Sequence, residues 1–169
     1  MGAGKTSVGH ALAGLLGWSL VDLDHEIELR QKQRVREIFE SQGEARFREI
    51  ESETLRVVLA QVSTATVIAL GGGTFVQLEN VALLRARGAQ VVFLEAPMEL
   101  LLQRCHVPKQ SSADNLRPLA ANPTAFRSLY AKRLPRYRAA DFTLNTQDMS
   151  FEQQAEAIVA RLHLSTGRI

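Results

Sequence analysis

The chain has 169 residues, of which 46% are hydrophobic and 22% charged, which fits one compact domain over residues 1–169 and argues against a second full domain within them. The net charge of +2 comes from interspersed acids and bases, so we expect anionic small molecules rather than nucleic acid as partners. The single cysteine, Cys105, excludes an internal disulfide. No apolar stretch approaches the roughly 18 residues of a membrane helix, and the first residues lack a signal-peptide pattern. We therefore expect a cytoplasmic protein without a membrane partner.

Short strand-like runs alternate with longer helical patterns along the chain. Strands are predicted over 19–24, 66–71, 89–95 and 141–146, and helices over 5–17, 25–31, 34–41, 44–61, 78–87, 97–106, 123–138 and 151–163. This alternation predicts βαβ units and therefore an α/β fold with a mainly parallel sheet. The polar segment 105–118 is predicted to be a loop, and a lid or a disordered segment would explain its length.

The first residues, M-G-A-G-K-T-S, match the rear half of the phosphate-loop pattern G-x-x-x-x-G-K-[ST]. In such a loop, backbone N–H groups surround the phosphates, the lysine reaches the β and γ phosphates, and the hydroxyl holds Mg²⁺. Lys5 and Thr6 lie directly before an amphipathic helical pattern, which is the context the motif needs. Because G-K-T also occurs by chance at helix starts, the interpretation depends on the later segments.

Two aspartates end the first predicted strand. Asp22 and Asp24 are two residues apart, so on a strand they would point to the same side, at the edge where α/β sheets bind ligands. One could then hold a Mg²⁺-bound water while the other accepts a hydroxyl proton. The alternative makes Asp24 the N-cap of the next helix and Asp22 a solvated loop residue.

Arg48 and Glu51 lie three residues apart on the predicted helix 44–61. As an exposed ion pair they would contribute little stability. In a pocket, Glu51 would instead orient the planar guanidinium of Arg48 toward a carboxylate ligand. Gly71-Gly72-Gly73 ends the second strand, and we favour close approach of this backbone to a ligand over a merely flexible turn.

Arginines are frequent in the second half of the chain. Arg117 closes the polar loop, and R-L-P-R-Y-R (133–138) lies in a helical pattern. Cationic groups on a closing loop suit phosphoryl transfer, because negative charge spreads over the γ-phosphoryl oxygens. A solvated basic face is the alternative, and most of these arginines are expected to be only that.

Together these motifs resemble those of the shikimate kinase family, small P-loop kinases of the nucleoside-monophosphate-kinase type. The resemblance extends from Gly2 to about Thr146 and rests on G-x-G-K-T, D-L-D, E-I-F with F-R-E-I-E, G-G-G, R-P-L and R-L-P-R-Y in family order. It implies a three-layer α/β/α fold and transfer of the γ-phosphoryl group of ATP to the 3-hydroxyl of shikimate. It also implies Mg²⁺ as cofactor, a monomer, and a substrate-binding helical region over about 25–61.

The resemblance implies a role for each matching residue. Nucleotide-binding roles fall to Gly2, Ala3, Gly4, Lys5, Thr6, Ser7, Arg104 and Arg117, and metal-binding roles to Thr6 and Asp22. Shikimate-binding roles fall to Asp24, Phe39, Phe47, Arg48, Gly71, Gly72, Gly73 and Arg133. Lys5, Asp24 and Arg117 would be catalytic, with Asp24 as the base and Arg117 as the lid arginine.

Two features depart from the family pattern. The segment between Arg104 and Arg117 is longer than expected for the lid. The first strand and the first loop glycine of the family would precede Met1, so we expect the first central strand to be missing from this chain. Because loss of that strand would leave backbone groups unpaired in the core, we hypothesise that Met1 is an internal start, from a misassigned start codon or a shortened chain.

Two other functions also fit the phosphate loop. A related small-molecule kinase such as gluconate kinase shares the loop, but has no need of F-R-x-x-E and R-x-P-x-Y. A shikimate-kinase-like ligand-sensing domain would bind without turnover; the missing strand favours it, whereas intact Lys5, Asp22, Asp24 and Arg117 argue against it.

Overall fold

The computed structural model describes residues 2–106 and 122–165, so Arg117 and most of the predicted lid lie outside the described residues. The helices are α1 (Lys5–Leu16), α2 (Leu23–Gln31), α3 (Val35–Gln61), α4 (Leu78–Ala86), α5 (Met98–His106), α6 (Pro123–Tyr137) and α7 (Phe151–Leu162). The strands are β1 (Ser19–Asp22), β2 (Thr66–Ala69), β3 (Val92–Glu95) and β4 (Phe142–Asn145), and a 3-10 turn spans Thr74–Val76. The predicted alternation is confirmed. In the part of the chain described, no helix has the length and apolar character needed to span a membrane.

The four strands form two parallel pairs. β1 pairs with β2, with Ser19 opposite Thr66, and β3 pairs with β4, with Val92 opposite Phe142. The prediction of parallel pairing is confirmed. Within residues 2–106 and 122–165 no strand joins β2 to β3, so the predicted sheet consists of two separate two-stranded pairs.

Helices cover the strands on both faces. Val67 of β2 packs against an apolar cluster that includes residues of α1, α5, α6 and α7, whereas its neighbour Ile68 packs against a cluster from α2, α3 and α4. Leu94 of β3 and Leu144 of β4 belong to the first cluster. Because side chains alternate along a strand, the two clusters lie on opposite sides, which gives the three-layer α/β/α arrangement.

β1 ends at Asp22, two residues before its predicted end, because this side chain caps α2. Asp22 Oδ1 accepts hydrogen bonds from the backbone N–H groups of Asp24, at 3.0 Å, and His25, at 3.4 Å. The prediction that Asp22 and Asp24 share one side of a strand is therefore wrong, since Asp24 lies in the first turn of α2. The alternative N-cap assignment is also wrong, because the cap is Asp22 rather than Asp24.

α3 contains both predicted helices 34–41 and 44–61, and the boundary between them is a break at Gly43. This residue has φ 78° and ψ 173° within an otherwise helical segment. A Cβ atom at Gly43 would meet nothing within 4 Å, so glycine is needed here for its backbone freedom rather than for space. The break separates the helical part that carries Phe39 from the helical part that carries Phe47 and Arg48.

Candidate active site

The N-terminus of α1 forms the first half of the candidate site. α1 begins at Lys5, and its N-cap Gly4 has a left-handed backbone with φ 78°. The first turn has no acidic residue, and no side chain caps it. Its first N–H groups therefore lack partners within the helix and, together with the helix dipole, favour an anion at this end. The Ala3 side chain is buried, so Ala3 would meet a ligand through its backbone.

Thr6 and Asp22 join this helix end to the end of β1. Thr6 Oγ1 donates a hydrogen bond of 2.7 Å to Asp22 Oδ2, while the other carboxylate oxygen of Asp22 caps α2. The Thr6 hydroxyl and the Asp22 carboxylate are oxygen donors of the kind that Mg²⁺ prefers, and they lie beside a helix end whose dipole favours an anion. Mg²⁺ commonly takes one or two carboxylates and completes its shell with phosphate and water, so these two residues fit a magnesium ion.

Asp24 and Glu51 place two carboxylates against the glycine segment, Gly71-Gly72-Gly73, which follows β2. A Cβ atom at Gly71 would lie 3.2 Å from Asp24 Oδ1 and 2.9 Å from Glu51 Oε1. The absence of a side chain at Gly71 therefore lets both carboxylates approach the backbone. Asp22 and Asp24 lie on either side of the first residue of α2. The pair Thr6–Asp22 and the region around Asp24 and Gly71 are therefore joined by the start of this helix.

Glu51 holds Arg48 in a partly buried position. The Glu51 side chain is 1% exposed and accepts hydrogen bonds from Arg48 Nη1 at 2.8 Å, Thr74 Oγ1 at 2.6 Å and Gln77 Nε2 at 2.9 Å. Burial lowers the pKa of Arg48, but the Glu51 and Glu44 carboxylates outweigh it and raise that pKa above its ordinary value. Arg48 thus stays charged, and the pair is largely buried rather than an exposed surface pair.

Two aromatic rings and a glycine confine the Arg48 guanidinium. The rings of Phe39 and Phe47 lie 4.3 Å apart between centroids, and Arg48 Cζ lies 5.8 Å and 5.2 Å from them. On another side, a Cβ atom at Gly73 would lie only 2.2 Å from Arg48 Nη1. Only glycine at position 73 therefore allows the guanidinium to occupy this place.

α6 contacts the same glycine segment through two of its side chains. Arg133 Nη1 donates to the carbonyl oxygen of Gly72 at 3.5 Å, and the Tyr137 hydroxyl donates to the same oxygen. Burial raises the pKa of Tyr137, which keeps that hydroxyl protonated as a donor. The Arg133 side chain is 13% exposed, so it is not part of a solvated basic face.

Glu44 is a member of this cluster that the sequence motifs did not single out. Its Oε1 atom lies 3.1 Å from Arg48 Nη2 and 3.7 Å from Arg133 Nη2. The signal for the first contact was present, because Glu44 precedes Arg48 by four residues on a helix. The second contact depends on α6 meeting α3, which no local spacing indicates.

The predicted residues thus form two groups. The structure brings together Asp24, Phe39, Phe47, Arg48, Gly71, Gly72, Gly73 and Arg133 around the glycine segment, and Gly4, Lys5, Thr6, Ser7 and Asp22 around the start of α1. Arg104 lies on α5, and its buried Nη1 atom has no hydrogen-bond partner among the described residues. Arg117 lies outside those residues.

Comparison with known proteins identifies related sequences and structures. A sequence model of the family described as "Shikimate kinase" matches residues 1–163. A shikimate kinase of Thermodesulfovibrio yellowstonii is 36% identical over 170 residues, which cover 99% of this chain and 94% of the relative. A shikimate kinase of Persephonella marina is 33% identical over 163 residues, covering 96% of this chain and 94% of the relative. The solved shikimate kinase from Acinetobacter baumannii in complex with shikimate is 38% identical, with a TM-score of 0.86, and the match covers 96% of this chain and 88% of that chain.

Proposed function

The chain belongs to the shikimate kinase family, and we propose on that premise that its two clusters hold the two substrates of one reaction. In that reaction the γ-phosphoryl group of ATP is transferred to the 3-hydroxyl of shikimate, which gives shikimate 3-phosphate and ADP. The predicted family and the predicted activity of an ATP-dependent kinase are confirmed by the family match and the relatives. The role of each residue in this chain is the proposal developed below.

The observation that carries the proposal is the convergence of two guanidinium groups on one carboxylate oxygen. Arg48 Nη2 and Arg133 Nη2 both lie within 4 Å of Glu44 Oε1, at 3.1 Å and 3.7 Å. A ligand carboxylate at this point would meet two positive charges from separate helices, α3 and α6. Arginine suits this task because its planar fork matches the geometry of a carboxylate.

The remaining groups fit a hydroxylated ring held by its carboxylate. Phe39 and Phe47 supply an apolar surface beside Arg48, and Gly71, Gly72 and Gly73 leave the backbone open to the ligand. Asp24 lies against Gly71 and would bind the shikimate hydroxyls. As the 3-hydroxyl oxygen forms its bond to the γ-phosphorus, the bond from that phosphorus to the bridging oxygen of ADP breaks, and Asp24 would take the hydroxyl proton.

The nucleotide would bind at the start of α1. Gly2, Ala3 and Gly4 would supply backbone N–H groups, Lys5 would reach the β and γ phosphates, and Thr6 and Ser7 would complete the loop. Thr6 and Asp22, the latter through water, would hold Mg²⁺, which neutralises phosphate charge when bound. Arg104 would lie near the adenine, and Arg117 would meet the transferred phosphoryl group. The monomeric state, the cytoplasmic location and the absence of nucleic-acid and membrane partners stay predictions.

A coupled assay of ADP release with ATP, Mg²⁺ and shikimate tests the function. We expect turnover with shikimate and none with gluconate. Turnover with gluconate alone would contradict the proposal in favour of a related small-molecule kinase. Shikimate binding without turnover would instead favour a ligand-sensing domain.

The variant Asp24→Asn tests the proposed base. We expect turnover to be abolished while ATP affinity stays near that of the wild type, because Asp24 is assigned to the acceptor and not to the nucleotide. Glu26→Gln is the matched control, since it removes one negative charge from the same first turn of α2. A large loss of ATP affinity in Asp24→Asn, or an equal loss of turnover in the control, would count against this role.

A further inference from the structure

Glu44 places a carboxylate of the protein itself at the point where the two proposed substrate-binding arginines meet. Its Oε1 atom lies 3.1 Å from Arg48 Nη2 and 3.7 Å from Arg133 Nη2. An arrangement of two arginines on one carboxylate oxygen is also what a ligand carboxylate would need. Glu44 and an anionic ligand therefore cannot both hold this position.

We infer that Glu44 is an internal competitor that occupies the carboxylate receptor of the free protein and must be displaced by a carboxylate substrate. The inference rests on the proposed function for the identity of that substrate. It assigns to Glu44 control of the affinity for anionic acceptors. A neutral acceptor has no carboxylate to pair with the two arginines, so it would not compete with Glu44.

The two carboxylate partners of Arg48 differ in how readily they can leave. Glu51 is 1% exposed and accepts hydrogen bonds from Thr74 and Gln77 as well as from Arg48, so it is a fixed partner. Glu44 is 62% exposed, so its carboxylate can turn into water, and Arg48 then keeps its ion pair with Glu51. Glu44 is therefore the replaceable partner of Arg48, and Glu51 the permanent one.

The position of Glu44 on α3 explains why it lies over the arginines without a ligand. It directly follows the break at Gly43, so it begins the second helical part of α3. A negative charge is favoured near the start of a helix. The helix geometry also brings it to Arg48, one turn further along. The contact with Arg133 then follows from the approach of α6.

Two variants separate this competition from a general effect of charge. Glu44→Gln removes the competing charge, and Glu49→Gln is its control, because Glu49 is 61% exposed on the same helix and its ion pair, at 2.7 Å, is with Arg46. Exposed ion pairs contribute little, so we expect the Kd of shikimate to fall about two- to fivefold in Glu44→Gln. It should not change in Glu49→Gln. Glu44→Ser should change the Kd in the same direction as Glu44→Gln.

Calorimetric titrations without nucleotide would use three ligands: shikimate, its methyl ester and benzoate. The decrease in Kd caused by Glu44→Gln should occur with shikimate and with benzoate, and it should become smaller at high salt. It should be absent with the uncharged methyl ester. Benzoate reports on the arginine pair independently of the substrate. If wild type does not bind shikimate while benzoate binds more tightly to Glu44→Gln, the proposed function is wrong and the competition stands. If neither anion binds more tightly to Glu44→Gln than to the wild type, the inferred competition by Glu44 is wrong. It is also wrong if the Kd of the methyl ester falls by the same factor as that of the anions.

Discussion

The variant Gly73→Ala should displace the Arg48 guanidinium without straining the backbone. Gly73 has φ −98° and ψ −20°, which alanine adopts readily. The added methyl carbon would lie 2.2 Å from Arg48 Nη1 and 2.3 Å from Cζ, whereas ordinary contact begins at 3.4 Å. The guanidinium must therefore retreat by about 1 Å, since close-packed atoms do not tolerate such overlap.

The retreat breaks contacts that orient Arg48. Its hydrogen bond to Glu51 is 2.8 Å long, and buried Glu51 cannot follow because Thr74 and Gln77 also hold it. A hydrogen bond between charged groups contributes about 1.5–3 kcal/mol, and about 1.4 kcal/mol corresponds to a factor of ten in binding. We therefore expect the KM for shikimate to rise about 10- to 100-fold.

Steady-state kinetics with each substrate varied in turn would measure this effect. The KM for ATP should not change, because the start of α1 is a separate part of the site. Gly14→Ala is the matched control, since a Cβ atom at Gly14 meets nothing within 4 Å. In an Arg48→Lys background, Gly73→Ala should raise the shikimate KM much less, because the guanidinium that the methyl group would displace is absent. A folded Gly73→Ala protein with an unchanged shikimate KM would refute the assignment of Arg48 to the carboxylate.

Three further variants test other parts of the structure. Glu51→Gln should lower the free energy of unfolding by about 1–3 kcal/mol and raise the shikimate KM, because Arg48 then loses its permanent carboxylate; a urea titration with unchanged stability would contradict this. Asp22→Asn should keep the cap of α2 and hence the Tm, but raise the Mg²⁺ concentration needed for half-maximal rate, and an unchanged Mg²⁺ dependence would remove Asp22 from the metal site. Gly14→Ala should raise the free energy of unfolding by about 0.5–1 kcal/mol, because Gly14 is exposed within α1, and a destabilised variant would show that this position is constrained.

The order and type of the elements could be predicted because each carries its own local pattern. The helix predicted over 151–163 corresponds to Phe151–Leu162, and its start is fixed by reciprocal hydrogen bonds between Ser150 and Gln153. The end of β1 could not be predicted as reliably. There the Asp22 side chain competes for backbone N–H groups and starts α2 two residues early.

The grouping of Arg48, Gly73 and Arg133 in the candidate site could be predicted, because each of them belongs to a sequence motif. Glu44 and Tyr137 were not assigned roles, because their contacts depend on how α3 and α6 meet. Tyr137 donates to the Gly72 carbonyl, 65 residues earlier in the chain, and Glu44 approaches Arg133 across two helices. Local spacing contains no information on such distances, so these contacts appear only in the folded chain.

The glycine segment connects the two helices that carry the arginines. From α6, Arg133 and Tyr137 both donate to the Gly72 carbonyl, and from α3, Arg48 lies directly against Gly73. Buried Thr74 fixes the segment, because its hydroxyl donates to Glu51, the permanent partner of Arg48. A displacement of α6 would therefore shift the backbone of Gly72 and Gly73 and change the position of the Arg48 guanidinium. For this reason variants in one helix should change the energetic effect of variants in the other, as expected if the two arginines form one receptor.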